Sequence, residues 1–172
     1  MGKPPFNPLS ITEVAFGLPG RIYRSPMPFR PGDGTGKVFR QYQEAGIQVV
    51  VVLVEPGEFL RYAGIDLIQY YKDHALEVIA YPIPDYGTPP ARKELDRALG
   101  AFLEAANSGK HVAVHCNAGL GRTGTFLACA ASKHFGFTGE QAVAWIRSFV
   151  PLACENQEQV QYVLAYANRP AA

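Results

Sequence analysis

The stretch that decides the fold is HVAVHCNAGLGRTGTFLACAASKHF, residues 111–135. It opens on a short apolar run, HVAVH, that is typical of a buried strand, and it closes on a long and largely apolar run that is typical of a helix. Between the two runs lies a glycine-rich turn, which begins at Cys116 and ends at Arg122. This order predicts a strand, a tight turn and a helix, with a cysteine and an arginine at the two ends of the turn.

Strand-like and helix-like segments alternate on both sides of this stretch. Residues 47–54 are β-branched on both faces, which predicts a central strand covered on both sides, and residues 77–83 predict a second core strand. The remaining expected elements are an edge strand at 21–25, helices at 37–46 and 91–109, two short helices broken at Gly64, a helix begun by a capping box at Thr138 and Gln141, and a last helix from near Glu155. The alternation predicts one α/β domain with a central, mostly parallel sheet of four to five strands flanked by helices.

The bulk composition restricts the possible functions. The chain has 172 residues, enough for one core, and residues 1–20 with their four prolines predict an irregular lead-in to a domain over residues 21–172. A hydrophobic fraction of 48% and a charged fraction of 18% exclude a disordered chain. The net charge of +1 gives no general attraction to nucleic acid, so anion recognition has to be local. Arg21, Arg24 and Arg30 predict a solvated face, with a position beside a cleft as the alternative.

The cysteines and the N-terminus bear on localisation. Three cysteines without C-x-x-C spacing predict reduced thiols and neither a disulfide framework nor a zinc site. Cys129 and Cys154 are predicted core residues; the alternative is a partner thiol that traps oxidised Cys116. The N-terminus lacks the apolar segment of a signal peptide, and the longest apolar run is too short to cross a bilayer. We therefore expect a cytoplasmic protein without a membrane anchor, a metal or a cofactor.

The turn has the composition of an anion-binding loop. Gly119 and Gly121 allow successive backbone amides to point inward as a nest for a tetrahedral anion, and the following helix adds its positive N-terminal end. Arg122 can bind two oxygens of the anion at once. The same field favours the thiolate form of Cys116, which places a nucleophile against a phosphate. The predicted phosphate-binding residues are Asn117, Ala118, Gly119, Leu120, Gly121 and Arg122.

Asp85 is the candidate proton donor. It follows the predicted strand at 77–83 as Cys116 follows the strand at 111–115, so both belong at the carboxyl edge of the sheet although 31 residues separate them. A carboxyl group there would protonate the leaving oxygen, an effect of roughly 10²- to 10⁴-fold, and would then activate water against a phosphocysteine. Thr123 is predicted to donate a hydrogen bond to the departing sulfur. A plain turn-forming role for Asp85 is the alternative.

These motifs resemble those of a known family. HCNAGLGRTG, residues 115–124, resembles the H-C-x-x-G-x-G-R-[ST]-G signature of the protein tyrosine phosphatase superfamily, and PDYGTP, residues 84–89, resembles the general-acid loop of its dual-specificity group. Residues 45–90 are similar to the kinase-associated phosphatase branch, close to the Cdc14-type enzymes, and RIYRSPMP is similar to an N-terminal segment of related small phosphatases. The resemblance covers about residues 21–166.

The resemblance implies roles for individual residues. It implies Cys116 as the nucleophile, Arg122 as the phosphate clamp, Asp85 as the general acid and His115 as support for the thiolate, without a metal. In the family's C-terminal helix a glutamine can position water, and Gln159 is the residue here that fits.

The sequence also bears on the class of substrate. The tyrosine-bearing motif of strictly tyrosine-specific members has no equivalent, which favours phosphoserine and phosphothreonine beside phosphotyrosine in a protein or peptide. Asn117, Ala118 and Leu120 are uncharged where phosphoinositide-directed relatives carry lysines, which disfavours a lipid. Phosphate, sulfate or vanadate-like anions should bind in the turn. The alternatives are a lipid phosphatase with the same chemistry, a rhodanese-like sulfurtransferase and a phosphopeptide-binding module.

Overall fold

The computed structural model describes residues 5–168, and the predictions that touch residues 1–4 and 169–172 lie outside that range. The strands are β1 (Thr12–Glu13), β2 (Ile22–Ser25), β3 (Ile47–Val52), β4 (Glu77–Ala80) and β5 (His111–His115). The helices are α1 (Lys37–Glu44), α2 (Pro56–Ala63), α3 (Leu67–Asp73), α4 (Arg92–Asn107), α5 (Gly121–Phe135), α6 (Gly139–Arg147) and α7 (Gln157–Ala167).

The strands form one sheet in the order β1-β2-β5-β3-β4. All neighbours run parallel except β1, which is antiparallel to β2. Val112, Ala113 and Val114 of β5 are fully buried because helices cover the sheet on both sides. The structure confirms the predicted fold class, a single α/β domain with a mostly parallel sheet flanked by helices.

Two strands differ from their predicted places. β2 is not the predicted edge strand, because residues 12–13 pair with it. These two residues belong to the segment that was predicted to be an irregular lead-in, and Val14 and Phe16 of the same segment are buried in the core. A two-residue strand is too short to show an alternating pattern, so no periodicity indicates it. β1 and β4 are the two edge strands, and the side chains of β4, which was predicted as a core strand, are half-buried or exposed. Apolar composition alone does not distinguish an edge from a central strand.

The chain after β4 carries Asp85 to the same edge of the sheet as Cys116. Beyond the last residue of β4, the Ile83 N–H still donates to the Leu53 carbonyl (2.9 Å), and the Leu53 N–H donates to the His115 carbonyl (3.0 Å). The residue after Ile83 is a proline, which has no N–H to continue this ladder. The chain therefore turns at the carboxyl ends of the strands, and the predicted common crevice lies there.

Candidate active site

The loop at residues 116–122 joins β5 to α5 and begins with an almost buried cysteine. Cys116 is 3% exposed, and its sulfur accepts a hydrogen bond from the Gly119 N–H at 3.3 Å. Gly119 has a φ of +73°, and a β-carbon there would collide with the Ser25 carbonyl oxygen. Only glycine fits this position without strain, because it alone lacks a β-carbon.

The carbonyl groups of the loop are bound from its outer side. The Met27 N–H donates to the Asn117 carbonyl (2.9 Å), and Arg24 donates to the carbonyls of Ala118 (2.6 Å) and Gly119 (2.7 Å). In a trans peptide the N–H points away from the C=O. The three amides that follow these carbonyls therefore point towards the side of the loop on which the sulfur lies. This is the geometry of an anion-binding nest.

Arg122 lies buried at the end of the loop and contacts two carboxylates. Its Nη1 and Nη2 donate to the two oxygens of Glu58 at 2.6 and 2.8 Å, and Nη1 also donates to the Ile83 carbonyl at 3.0 Å. Asp85 Oδ1 lies 2.8 Å from Nη2. Burial opposes the charged form, but the hydrogen bonds to Glu58 and the nearby negative charges raise the pKa of Arg122 above its ordinary value. The guanidinium is thus a fixed cation between the loop and Asp85.

Glu58 was missed in the sequence analysis. It is the third residue of α2, where its carboxylate also accepts the Glu55 N–H (3.0 Å) in a reciprocal capping box. Burial raises the pKa of Glu58, but hydrogen bonds from Arg122 and from the Glu55 amide outweigh burial and leave the pKa lowered. The available signal was the E-x-x-E spacing ahead of a helix, which indicates a cap and not an arginine partner.

Asp85 lies in a tight turn whose shape is fixed on both sides. The Gly87 N–H donates to the Pro84 carbonyl (2.8 Å), and Asp85 Oδ1 accepts the Tyr86 N–H (3.1 Å). Tyr86 has a φ of 56°, an unusual conformation for a residue with a side chain, and its carbonyl accepts a hydrogen bond from Asn156 Nδ2 (2.8 Å). The Asp85 side chain remains 47% exposed, so it can reach a bound molecule.

Gln159 is buried beside this turn. Its Nε2 donates to the Gly87 carbonyl (3.1 Å), and its Oε1 accepts the Glu155 N–H (3.0 Å). The side-chain amide therefore joins the start of α7 to the turn that carries Asp85. The role in positioning water stays a prediction.

Glu155 is a second carboxylate that the sequence analysis missed. It lies against the loop, since a β-carbon on Gly121 would collide with Glu155 Oε1. Burial and the charge of Asp85 raise the pKa of Glu155, and Arg122 offsets part of that effect. Two carboxyl groups, those of Asp85 and Glu155, consequently interact at the mouth of the loop.

His115 is fully buried behind the cysteine. Its Nδ1 lies 2.9 Å from the Cys116 carbonyl oxygen, and its Nε2 lies 2.9 Å from the Tyr71 hydroxyl. Burial lowers the pKa of His115 to about 4, so the ring is neutral at pH 7 and carries one N–H. A carbonyl only accepts, so Nδ1 carries the proton and Nε2 accepts from Tyr71. This pair of bonds fixes the backbone at the start of the loop.

The predicted hydrogen bond from Thr123 to the sulfur is not formed. Thr123 is buried in the first turn of α5, and its hydroxyl has no hydrogen-bond partner among residues 5–168. The sequence places Thr123 correctly at the loop, but its rotamer depends on packing that spacing does not reveal. Its part in catalysis stays a prediction.

Other features of residues 5–168 bear on cofactors and membranes. The part of the chain that the structure describes contains no cluster of three or more histidine, cysteine or acidic side chains suited to a metal ion. No helix in that part is long and apolar enough to cross a membrane. Cys129 and Cys154 are free thiols buried in the core, as predicted.

Fold and site together define a cysteine-dependent phosphatase architecture, with a cysteine loop, an arginine at its end and an aspartate on the neighbouring turn. A family profile described as "Polymorphic toxin system, DSP-PTPase phosphatase" matches residues 30–135. The chain belongs to this dual-specificity family of the protein tyrosine phosphatase superfamily, which confirms the resemblance seen in the sequence.

Individual relatives agree with this assignment. The chain is 30% identical over 154 residues to the tyrosine-protein phosphatase CDC14 of Candida albicans, which covers 85% of this chain and 24% of that protein. It is 29% identical over 126 residues to the phosphatidylglycerophosphate phosphatase PTPMT1 of Arabidopsis thaliana, which covers 73% of this chain and 36% of that protein. The chain thus spans about a quarter and a third of these relatives. A crystal structure of kinase-associated phosphatase superposes with a TM-score of 0.81 at 20% identity, over 94% of this chain and 98% of that one.

We expect acid to destabilise the fold through His115. The folded-state pKa of about 4 lies below the ordinary value of 6.5, so between these pH values the unfolded chain binds a proton that the folded chain excludes. Stability should therefore fall as the pH drops through this window, by on the order of 3 kcal/mol. Urea unfolding of the wild type and of His115→Asn at pH 7 and pH 4.5 measures this loss, which the variant should lack. His74→Asn removes an exposed histidine and is the control, since it should keep the wild-type pH dependence of stability. The same pH dependence in His115→Asn would show that the loss of stability in acid does not come from His115.

Proposed function

We propose that the protein hydrolyses phosphomonoesters on proteins through a phosphocysteine intermediate, with activity on phosphotyrosine and on phosphoserine and phosphothreonine. One observation carries the proposal: the Cys116 sulfur accepts the Gly119 amide hydrogen bond on the same side of the loop to which the neighbouring amides point. A nucleophilic sulfur and donors for three phosphate oxygens thus belong to one loop. The neutral His115, bonded to the Cys116 carbonyl, holds the start of that loop.

In the first step the Cys116 thiolate attacks phosphorus, and the bond from phosphorus to the ester oxygen breaks. Asp85 gives a proton to the leaving oxygen, and the loop amides and Arg122 bind the phosphoryl oxygens. In the second step the Asp85 carboxylate takes a proton from water as that water attacks phosphorus. The sulfur–phosphorus bond then breaks, inorganic phosphate leaves and the thiolate is restored. A Thr123 hydrogen bond to the sulfur would assist this departure.

The contacts of Arg122 suggest how substrate frees the acid. Glu58 and the Ile83 carbonyl bind one side of the guanidinium, and Asp85 lies against Nη2. A phosphate that binds through Arg122 competes with Asp85 for Nη2, whereas the bidentate bonds to Glu58 keep the guanidinium plane in place. We propose that phosphate binding displaces Asp85 from the arginine and leaves its carboxyl group available to the ester oxygen.

The two remaining non-lipid alternatives fit the site less well. A sulfurtransferase has no use for Asp85 beside the arginine. A phosphopeptide-binding module does not need a cysteine nucleophile, and Cys116, Arg122 and Asp85 are all present here.

A reducing compartment such as the cytoplasm would keep Cys116 as a thiol, and we propose that location.

A lipid phosphatase is the second candidate, and the similarity to the Arabidopsis phosphatidylglycerophosphate phosphatase favours it. The side chains of Asn117, Ala118 and Leu120 offer no cation to a multiply charged headgroup. We therefore expect higher kcat/KM on phosphotyrosine, phosphothreonine and phosphoserine peptides than on short-chain phosphatidylinositol phosphates or phosphatidylglycerophosphate. A higher kcat/KM on either lipid than on all three peptides would replace the protein substrate by a lipid.

Replacing the sulfur should separate binding from turnover. In Cys116→Ser the loop amides and Arg122 remain, so tungstate or inorganic phosphate should still bind with a similar Kd, measured by calorimetry. Hydrolysis of p-nitrophenyl phosphate should fall by about 10⁴-fold or more, because the nucleophile is lost. Cys129→Ser, a change at a buried cysteine within α5, should keep its activity per folded molecule. Wild-type turnover in Cys116→Ser would refute the covalent mechanism.

Removing the acid should affect substrates according to their leaving groups. Asp85→Asn should slow phenyl phosphate, whose leaving oxygen needs a proton, by about 10²-fold or more, and should slow p-nitrophenyl phosphate far less. Glu155→Gln is the matched control, since Glu155 is the other carboxyl group at the mouth of the loop. If Glu155→Gln shows the leaving-group dependence and Asp85→Asn does not, Asp85 is not the proton donor.

A further inference from the structure

We propose that Arg24 is a positioning residue that sets, from outside the loop, the direction of the amides that bind the substrate's oxyanion. The inference rests on the proposed function, because it concerns the same phosphate-binding loop. It replaces the expectation that Arg24 lies on a solvated face, since Arg24 is fully buried. Arg24 contacts no substrate in this proposal and acts only through the loop.

The hydrogen bonds of Arg24 determine two peptide planes. Its Nε donates to the Gly119 carbonyl at 2.7 Å, and its Nη2 donates to the Ala118 carbonyl at 2.6 Å. Because each peptide is trans, the N–H groups of Gly119 and Leu120 point the opposite way. The Gly119 N–H indeed reaches the Cys116 sulfur. A rotated peptide would turn a carbonyl oxygen towards the thiolate and the phosphate, where it would repel both.

The other side of the guanidinium is closed by the N-terminal segment. Nη1 donates to the Ser10 carbonyl (2.9 Å), Nη2 donates to the Pro8 carbonyl (3.0 Å), and the Phe6 ring centroid lies 5.0 Å from the guanidinium carbon. Four carbonyls thus surround Arg24, two from the loop and two from residues 8–10. The N-terminal segment is therefore part of the scaffold of the loop, although its sequence reads as an irregular lead-in.

The charge of Arg24 also has no carboxylate partner among residues 5–168, where no acidic oxygen lies within ion-pair distance of it. Burial lowers the pKa of Arg24 to about 10, and the electrostatic interaction with Cys116 offsets part of that effect. Arg24 is still a cation at neutral pH. A buried arginine is normally paired with an acid. Here the charge, which has no carboxylate partner, lies behind a loop proposed to hold a phosphate, so it adds to the field that favours that anion.

The alkylation of Cys116 is a readout that a purely structural role of Arg24 would leave unchanged. Iodoacetate is an anion and iodoacetamide is neutral, so the ratio of their rates at Cys116 reports on anion binding at the sulfur. Both reagents are applied to the whole 172-residue chain, and modification of Cys116 is followed by mass spectrometry. In Arg24→Met we expect the ratio to fall by about 10-fold or more, with kcat/KM for p-nitrophenyl phosphate down by about 10²-fold. Arg24→Lys keeps the charge but cannot bind two carbonyls in one plane, and its ratio should lie between those of the wild type and Arg24→Met.

Arg92 provides the matched control. It also donates to a carbonyl, that of Tyr166, and lies over an aromatic ring, but it joins α4 to α7. Arg92→Met should lower the thermal unfolding midpoint and leave the alkylation ratio unchanged. A wild-type ratio in folded Arg24→Met would overturn the inference, and if that variant does not fold, a wild-type ratio in Arg24→Lys would do so. A wild-type protein that does not hydrolyse phosphomonoesters would instead refute the proposed function, because the alkylation ratio does not depend on turnover.

Discussion

The direction of three peptide planes in the 116–122 loop is the constraint on which the rest of the site depends. With the carbonyls of Asn117, Ala118 and Gly119 bound from outside, the amides face the sulfur, and a tetrahedral anion has donors on that side. The opposite direction would present carbonyl oxygens to a thiolate. The sheet supplies the strand end, and α5 supplies the helix start, but the outward hydrogen bonds decide what the loop can bind.

The sequence predicted the elements that are local in the chain. A strand, a glycine turn and a helix within residues 111–135 are set by neighbouring residues. Because both Asp85 and Cys116 follow the carboxyl ends of parallel strands, the sequence also predicted that they lie close together although 31 residues separate them. The resulting ion pair between Asp85 and Arg122 confirms that the two loops meet. β1 was missed because two residues carry no periodicity, and β4 was misplaced because apolar composition is the same at an edge and in the centre.

The supporting residues could not be predicted because their partners are distant in sequence and their types suggest other roles. Arg24 binds a carbonyl 95 residues away, and Glu58 binds an arginine 64 residues away. Arginine and glutamate are usually exposed. Arg24 was therefore expected on a solvated face, and Glu58 was not predicted to belong to the site. For Thr123 the sequence predicted the position at the loop correctly, but the predicted hydrogen bond from its hydroxyl to the sulfur is not formed. The side-chain rotamer depends on packing, which spacing in the sequence does not reveal.

Two carboxyl groups close to Arg122, those of Glu58 and Glu155, have pKa values that are shifted in opposite directions. Glu58 accepts hydrogen bonds from the guanidinium and from a backbone amide, which outweigh burial and keep its pKa lowered, so it is a fixed counter-ion. For Glu155, burial and the charge of Asp85 raise the pKa, and Arg122 offsets part of that effect. Proton transfer needs a group whose proton can leave and return, which excludes Glu58. We therefore propose that the general acid is one of the two interacting residues Asp85 and Glu155, and Asp85 is the one that phosphate binding would release from the arginine.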